Sequence, residues 1–501
     1  METEIEIKLF FSPEFELELY KKISAHYSIS SKKQLLHNVY FDTANRKLRK
    51  MDMGLRVRSC ENKSVQTIKT SGRVIGGLHQ RPEYNEPIAG LRPELARFNS
   101  KIWPAGCDLK SLENGLTSIF STDFERQTWL LEMPDSTLIE VAYDKGSIEA
   151  NHEKINICEI ELELVKGDEK QLIVLCNDIA HLPQVRLANV SKAQRGYMLA
   201  DGLSFAVQPL TCASLTESMS VEQLLVTNLQ HGLRHIQYHE HCYLVSQQGN
   251  ALKELLKGIK FLHQNLKLFK KATPLLLEAD WLVDLHWLAR SFSWFDEYFT
   301  YQSILQDKGY YIRKLPKLKS LIRKLEMQKN ELPKLQSVVD ILSSTRYCLF
   351  ILKLTNWLIQ FEKSTFSSEK TNTIKTFAQL SLDASANELK QAVNKTATLS
   401  TAQVLAYQGL LETNLLSGLS VASLFSIEKS KAFYSPWLDI REGMKELAML
   451  NIITDIATEE DGEIQIEYFR WIKRKQDTLL HALEQSKQQA LTKEVFWHNE
   501  D

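Results

Sequence analysis

Cysteine is scarce in this chain and follows no pattern. The 501 residues contain seven cysteines, scattered from Cys60 to Cys348, and none of them forms a C-x-x-C pair. An odd number of dispersed cysteines indicates a reducing compartment and argues against a zinc knuckle.

Long apolar runs are also absent. No uninterrupted stretch of about 18 apolar residues could span a bilayer, and no basic segment followed by an apolar one opens the chain. We therefore expect a cytoplasmic protein with no membrane partner.

The chain has no excess of charge of either sign. Its 61 Lys and Arg residues face 62 Asp and Glu residues, so a polyanion site must come from local segregation of charge. No G-x-x-x-x-G-K-[ST] motif occurs, and Gly76-Gly77 lacks the strand-Gly-helix setting of a phosphate-binding loop. A P-loop nucleotide site is therefore excluded, and we expect no nucleic-acid partner.

Two hydrophobic periods divide the chain. Apolar residues recur with period two up to about residue 200, and with a helical period from about residue 217 onward. The helical stretches include 221–245, 250–271 and 276–305. The prediction is an α+β multidomain protein with a strand-rich domain over 1–202, a linker over 203–217 and an all-α domain over 218–490.

Charged residues alternate with apolar ones along several predicted strands. Glu4, Glu6 and Lys8 alternate with apolar neighbours, so a strand there has one charged face. An exposed edge strand would explain one such segment, but the pattern recurs at Arg56/Arg58, Thr67/Lys69, Arg81/Glu83, Glu140/Asp144 and Glu159/Glu161/Glu163. Several strands therefore share a charged interior, and about eight antiparallel strands would leave fewer edges if they closed into a barrel.

The charged faces carry two chemistries. The acidic members, Glu4, Glu6, Glu140, Asp144, Glu159 and Glu161, are hard oxygen ligands that suit Mg²⁺ or Mn²⁺. Glu163 is either a further ligand or a carboxylate at the rim. The basic members match phosphate oxygens: Lys8, Arg56, Arg58, Lys69, Arg81, Arg126, Lys192 and Arg195. A polyphosphate bridged by a divalent metal would satisfy both sets.

The order of these motifs resembles the CYTH, or triphosphate tunnel metalloenzyme, family over residues 1 to 200. The matching segments are Glu-x-Glu-x-Lys at 4–8, Tyr40-Phe41-Asp42-Thr43, Gly54-Leu55-Arg56-Val57-Arg58, Thr67-Ile68-Lys69, Arg81-x-Glu83, Phe124-Glu125-Arg126, Glu140-x-x-x-Asp144-x-Gly146, Glu159-x-Glu161 and Ser191-Lys192-x-x-Arg195-Gly196-Tyr197. The resemblance implies an eight-stranded antiparallel tunnel that hydrolyses triphosphates with Mg²⁺ or Mn²⁺.

The resemblance also implies roles for single residues. Triphosphate would be held by Lys8, Arg56, Arg58, Lys69, Arg126 and Lys192, with Arg81 and Arg195 as helpers. Asp144, Glu159 and Glu161 would hold the metal that orients substrate. Glu4 and Glu6 would hold a second metal that acidifies the attacking water, so no protein nucleophile is expected.

The second half resembles a CHAD domain over residues 218–490, through Ala251 to Phe269, Leu285-x-Trp287-Leu288 with Asp296, and Ile440-Arg441-x-x-Met444-Lys445-x-Leu447. Lys253, Leu256, Phe261, His263 and Ala448 depart from the family pattern. Basic strips such as Arg313, Lys314, Lys317, Lys319, Arg323 and Lys324 could serve as polyphosphate docking faces or as solvated helix faces.

The function these patterns favour is hydrolysis of inorganic triphosphate to pyrophosphate and phosphate. The choice of inorganic triphosphate follows from family association with a CHAD-like module. Three alternatives stay open: adenylate cyclase of the class IV type, a nucleoside or thiamine triphosphatase, and a polyphosphate-binding protein without turnover. Oligomeric state is not indicated by the sequence.

Overall fold

The structure is a computed structural model that describes residues 2–60, 63–270, 279–363, 373–394 and 399–498. The strands within these ranges are β1 (Glu2–Phe10), β2 (Ser28–Thr43), β3 (Gly54–Cys60), β4 (Lys63–Lys69), β5 (Arg73–Ile75), β6 (Leu78–Ile88), β7 (Leu116–Glu132), β8 (Leu138–Ala150), β9 (Glu153–Lys166) and β10 (Arg186–Leu187).

The helices are α1 (Glu16–Ser24), α2 (Lys47–Lys50), α3 (Leu109–Asn114), α4 (Lys170–Ile179), α5 (Lys192–Ala200), α6 (Val221–Ser246), α7 (Gly249–Phe269), α8 (Trp281–Ser291), α9 (Phe295–Gly309), α10 (Leu318–Glu331), α11 (Leu335–Leu342), α12 (Thr345–Lys363), α13 (Ile374–Asn394), α14 (Thr401–Ala406), α15 (Gln408–Val421), α16 (Ile427–Thr458) and α17 (Gly462–Thr492).

Eight of the strands close into an antiparallel barrel. The order around the ring is β1, β9, β8, β7, β2, β3, β4 and β6, and β6 pairs back onto β1. The short strands β5 and β10 pair with β6 and β1 outside this ring. The predicted eight-stranded tunnel is therefore confirmed, and closure leaves each ring strand with two partners.

On β1 and β9 the outward face of the barrel is apolar and buried. Ile7 and Leu9 on β1, and Ile160 and Leu162 on β9, are completely inaccessible to solvent. Helix α4 packs on these two strands with its own buried leucine and isoleucine side chains. Because side chains alternate along a strand, an apolar outer face leaves the charged residues facing the bore.

Helix α5 packs against apolar residues that line one end of the bore. Its Tyr197 joins a cluster with Tyr40, Phe120 and Phe124. Asp42 fixes this arrangement, since one of its carboxylate oxygens accepts a hydrogen bond of 3.1 Å from the Tyr197 hydroxyl. The same carboxylate accepts hydrogen bonds from the backbone N–H groups of Leu48 and Arg49.

The chain divides into two compact units. The first contains Met1–Gln208, Gln237–Ala251 and Val339–Gln360, and the second contains Pro209–Ile236, Leu252–Val338 and Phe361–Asp501. The second unit is built on amphipathic helices. In α16, for example, Trp437, Ile440, Met444 and Leu447 are buried at helical spacing and form one core stripe.

The predicted helical stretches are found with one difference. Stretches 221–245 and 250–271 correspond to α6 and α7, with Lys271 outside the described residues. Stretch 276–305 is broken, because α8 ends at Ser291 and α9 begins at Phe295. The break lets Phe292 and Phe295 stack with ring centroids 4.8 Å apart in the core. Positions 276–278 also lie outside the described residues.

Among the described residues, no single helix is long and apolar enough to cross a membrane. One pair of helical segments joined by a bend, Leu318–Leu342 with Thr345–Lys363, is long and apolar enough when taken together, by length and composition only.

Gly146 on β8 offers a test of the packing inside the barrel. An added Cβ there would lie 2.1 Å from the Asp123 carbonyl oxygen and 2.5 Å from the Phe124 Cα, both of which are backbone atoms that cannot move aside. We expect Gly146→Ala to lower the free energy of unfolding by about 1–3 kcal/mol. At Gly54, where no atom lies within 4 Å, the same change should alter it by less than about 1 kcal/mol. Urea unfolding of both variants measures the contrast, and equal stabilities would contradict the packing.

Candidate active site

Strand register brings the predicted charged residues onto the inner face of the barrel. Residues directly opposed on neighbouring antiparallel strands point to the same side. Lys8 on β1 lies opposite Glu161 on β9, and Asp144 on β8 lies opposite both Glu159 on β9 and Arg126 on β7. Three of the five predicted acidic ligands and two of the predicted cations therefore share one wall of the bore.

Asp144, Glu159 and Glu161 form a compact carboxylate cluster. One oxygen from each lies within 4.8 Å of the others, and Asp144 is completely buried. Three carboxylates without histidine or cysteine are a donor set that fits a hard divalent cation such as Mg²⁺ or Mn²⁺. The cluster coincides with the three residues predicted to hold the metal that orients substrate.

Two cations neutralise this cluster within the protein. Lys192 Nζ lies 2.7 Å from Asp144 Oδ2 and 3.1 Å from Glu161 Oε1, and it also binds Glu159. Arg126 donates to both oxygens of Asp144 and to Glu161, each at 2.6 Å. Burial raises the pKa of Glu161, but Lys192, Lys8 and Arg126 outweigh it and hold that pKa well below its usual range. The carboxylate of Glu161 therefore stays ionised at neutral pH.

Lys8 and Arg195 extend the network to both sides. Lys8 Nζ lies 2.7 Å from Glu6 Oε2 and also binds Glu161. Arg195 donates to Glu159 from helix α5. Ser191 is the N-cap that precedes that helix, and its hydroxyl accepts a hydrogen bond of 3.1 Å from the Gln194 N–H. The N-terminal turn of α5 is thereby positioned to deliver Lys192 and Arg195 to the bore.

A second network contains a residue to which the sequence assigned no role. Lys69 binds Glu4 and lies 2.9 Å from Glu83 Oε2, while Arg56 lies 3.5 Å from the other oxygen of Glu83. Burial by itself raises the pKa of Glu83, but the opposite effect of Lys69 and Arg56 is larger and brings that pKa down to about 2. The sequence signal that points to Glu83 is the Arg81-x-Glu83 alternation, because it places Glu83 on the charged face of β6.

Several guanidinium groups in the bore keep unused donors. No carboxylate pairs with Arg58 within the described parts of the chain, and its Nε donates to Asn38 Oδ1 at 2.8 Å. Burial, together with Arg56 and Arg126, lowers the pKa of Arg58 to about 9. The Nε atoms of Arg56 and Arg81 are buried and find no hydrogen-bond partner among the described residues. These donors fit an anionic ligand.

The two remaining predicted ligands, Glu4 and Glu6, lie outside the three-carboxylate cluster. They bind Lys69 and Lys8 respectively, and Glu6 lies opposite Glu163 in the strand register. Burial raises the pKa of Glu163 to about 7, with Glu4 and Glu6 adding to the effect. The role of Glu4 and Glu6 in holding a second metal stays a prediction.

Taken together, the fold and the site define a closed β-tunnel whose bore holds a carboxylate cluster beside partly unsatisfied cations. Comparison with known families gives this class a name. Residues 2–197 match the model of the CYTH domain, and residues 227–411 match that of the CHAD domain. The chain therefore contains a CYTH domain followed by a CHAD domain.

Individual proteins are similar to parts of the chain. An inorganic triphosphatase of Haemophilus influenzae is 36% identical over 206 residues, which cover 40% of this chain and 55% of that protein. The chain thus spans little more than half the length of this curated relative.

Two solved structures are also similar. An adenylyl-cyclase-like protein from Hippeastrum with a dominant triphosphatase activity is 21% identical, covering 40% of this chain and 96% of its own, with a TM-score of 0.30. The CHAD domain of the plant Ricinus communis is 14% identical over 56% of this chain and 96% of its own, with a TM-score of 0.42.

The carboxyl group of Glu163 provides a pH test of the acidic side of the bore. Its folded pKa of about 7 lies above the value of 4.5 for a free side chain, so the native state holds the proton more tightly. The contribution of Glu163 to stability should therefore fall as pH rises from 4.5 to 7 and then level off. We expect Glu163→Gln to remove this loss and to be more stable than the wild type by up to about 3 kcal/mol at pH 8, but not at pH 4.

Urea unfolding at a series of pH values measures this effect. Glu18→Gln, at an exposed position on α1, is the matched control and should follow the wild-type curve. A constant difference between Glu163→Gln and the wild type at every pH would show that Glu163 does not titrate in this way.

Proposed function

We propose that the CYTH domain hydrolyses inorganic triphosphate to pyrophosphate and phosphate with the help of Mg²⁺ or Mn²⁺. The observation that carries the proposal is the joint presence of both chemistries in one bore. Among the described residues, Arg58 pairs with no carboxylate and the Nε atoms of Arg56 and Arg81 have no partner. The three-carboxylate cluster lies among the same inward-facing residues. A site for polyanions alone would be weakened by such carboxylates.

The chain's own residues account for binding and charge neutralisation. Arg56 and Arg58 are two apart on β3, so their guanidinium groups point the same way and can each donate to phosphate oxygens. Lys8, Lys69, Arg126 and Lys192 carry further positive charge into the bore. Phosphoryl transfer needs mainly in-line positioning and neutralisation of charge, which these cations can supply without a protein nucleophile.

Asp144, Glu159 and Glu161 are the residues that would hold the metal. A divalent cation held there would help to orient and neutralise the triphosphate, whereas a second metal, predicted at Glu4 and Glu6, would acidify the attacking water. Arg126 and Lys192 now neutralise the carboxylates, so phosphate oxygens would attract the same cations. We therefore expect the metal and the triphosphate to strengthen each other's binding.

The preference for inorganic triphosphate is supported by the Haemophilus influenzae relative, which is named for this activity. Polyphosphate docking on the CHAD domain stays a separate prediction. In the basic strip over 313–324, Lys324 Nζ lies 2.8 Å from Glu460 Oε1, and Lys317 Nζ lies 3.6 Å from Glu460 Oε2. Part of the positive charge of this strip is therefore neutralised within the domain.

The first experiment is an assay of phosphate release by the purified chain with Mg²⁺ or Mn²⁺. Inorganic triphosphate, ATP, thiamine triphosphate and pyrophosphate are compared, and cyclic AMP is followed with ATP. The proposal expects inorganic triphosphate to be preferred and no turnover after the metal is chelated. Preference for ATP or thiamine triphosphate would make that compound the substrate in place of inorganic triphosphate. Tight binding without any turnover would mean that the tunnel is a receptor and not an enzyme.

Glu159→Gln and Glu161→Gln test the carboxylate cluster. Either change removes one charged oxygen ligand at nearly constant volume, so we expect kcat to fall by more than about 100-fold. Triphosphate binding without metal, measured by calorimetry, should persist because the cations remain. Glu18→Gln on the surface is the control, and metal-dependent turnover at the wild-type rate in the two cluster variants would refute the assignment.

Arg58→Gln tests the phosphate side of the bore. The change removes a charge-assisted donor that no described carboxylate neutralises, so KM for triphosphate should rise by about 10- to 100-fold. Arg97→Gln, at an exposed arginine paired with Glu94, is the control and should leave KM unchanged. An unchanged KM in Arg58→Gln would place the triphosphate away from β3.

A further inference from the structure

A short part of the helical half belongs to the same compact unit as the barrel. Residues Gln237–Ala251 contain the C-terminal end of α6, and Val339–Gln360 contain most of α12. Within this unit, Glu240 is buried and joins two other elements. Its Oε1 accepts a hydrogen bond of 2.5 Å from Arg186 on β10, and its Oε2 accepts one of 2.7 Å from the Tyr347 hydroxyl on α12.

A second contact of this segment fixes the turn between β5 and β6. Gln237 donates a hydrogen bond to the carbonyl oxygen of Gly76. Gly76 has a φ of +64°, and a Cβ at this position would lie only 1.7 Å from the Thr355 hydroxyl oxygen on α12. The turn therefore packs against both helices with no room for a side chain.

His241 follows Glu240 and reaches the last residue of β1. Its ring stacks on Phe10 with centroids 5.5 Å apart and an angle of 13° between the planes. The guanidinium carbon of Arg186 lies 5.1 Å from the centroid of the Phe10 ring, and that of Arg195 lies 5.4 Å from it. Phe10 is thus in contact with an imidazole and two guanidinium groups.

This cluster of rings and arginines lies beside Glu159 of the carboxylate cluster, on the same face of the barrel wall. Phe10 is opposite Glu159 in the register of β1 and β9, and Arg195 binds the Glu159 carboxylate. Arg195 has few other restraints: its Nη1 donates to the Asn156 carbonyl oxygen at 3.4 Å, and its buried Nε finds no partner among the described residues. The ring of Phe10 is therefore a main support for the orientation of Arg195.

We propose that His241, together with Glu240, is a positioning residue for the triphosphate site. The pair holds Phe10 and Arg186 in place, and Phe10 in turn holds Arg195 against Glu159. Neither residue reaches the substrate. This inference rests on the proposed function, because it assigns residues of α6 to the support of that same carboxylate cluster.

The shape of the imidazole matters here more than its charge. Burial lowers the pKa of His241 to about 3, and Arg186 and Arg195 contribute to the shift, so the ring is neutral at neutral pH. A neutral flat ring can pack beside two arginines without repelling them. A phenyl ring has the same property, whereas a methyl group would leave Phe10 without its stacking partner.

The test uses full-length His241→Ala and His241→Phe, with His231→Ala as the control on the same helix. His231 Nε2 bonds to the Thr211 carbonyl oxygen, and both residues belong to the second compact unit. Two quantities are measured: the dissociation constant of Mn²⁺ by calorimetry without substrate, and kcat and KM for inorganic triphosphate. We expect His241→Ala to weaken Mn²⁺ binding and lower kcat by about tenfold each, with KM within about twofold of the wild type. His241→Phe and His231→Ala should match the wild type.

The outcomes separate this inference from the proposed function. Wild-type Mn²⁺ binding and kcat in His241→Ala would overturn the positioning role, as would a failure of phenylalanine to restore them. Weaker Mn²⁺ binding in His241→Ala with no triphosphate hydrolysis by the wild type would support the positioning role and refute the function. No Mn²⁺ binding by the wild type would refute both. If circular dichroism shows that His241→Ala does not fold, His241→Leu is used in its place. Leucine keeps the volume of the side chain but not its flat face, so we expect the same loss of Mn²⁺ binding and kcat.

Discussion

Closure of the eight-stranded ring imposes one requirement on the charges inside it: each needs a partner of opposite charge, either another group in the bore or a bound ligand. An isolated charge in such surroundings is costly, and a pair of charges is tolerated only with good geometry and hydrogen bonds. Asp144 meets this requirement, since it is completely buried and bound by both Arg126 and Lys192. The rest of the site follows from this balance of opposite charges.

The balance is uneven along the bore, and the unevenness points to chemistry. Around Asp144 the carboxylates are well supplied with cations, whereas Arg58 on β3 donates to the amide oxygen of Asn38 and pairs with no carboxylate among the described residues. On the far side, Glu163 lies among other carboxylates and holds its proton to a higher pH. A ligand with several negative oxygens and a divalent metal would redistribute these partners without leaving a charge unpaired.

Packing outside the ring keeps these partners in register. Asp42 ties Tyr197 of α5 to the end of β2, and α5 carries Lys192 and Arg195 into the bore. His241, within the segment Gln237–Ala251, adds a stacking contact to the ring of Phe10. The geometry of the charged cluster therefore depends on apolar and aromatic contacts beyond the strands that display it.

The sequence by itself determined the two faces of the barrel and the identity of most charged residues in it. Alternation is a local property: a strand has period two, so Glu4, Glu6 and Lys8 had to share one face. The helical half was equally visible from its period of apolar residues, apart from the break before Phe295.

Only the tertiary structure decided which charges meet. Lys8 pairs with Glu161, 153 positions away, and Lys69 on β4 pairs with Glu4 on β1, with β6 between the two strands. These pairs depend on ring closure and strand stagger, which no local pattern specifies. The same holds for Glu83, whose partners come from β3 and β4, and for His241, which lies on a helix far along the chain from Phe10. Local sequence fixes which face a side chain occupies, and long-range packing fixes what it touches.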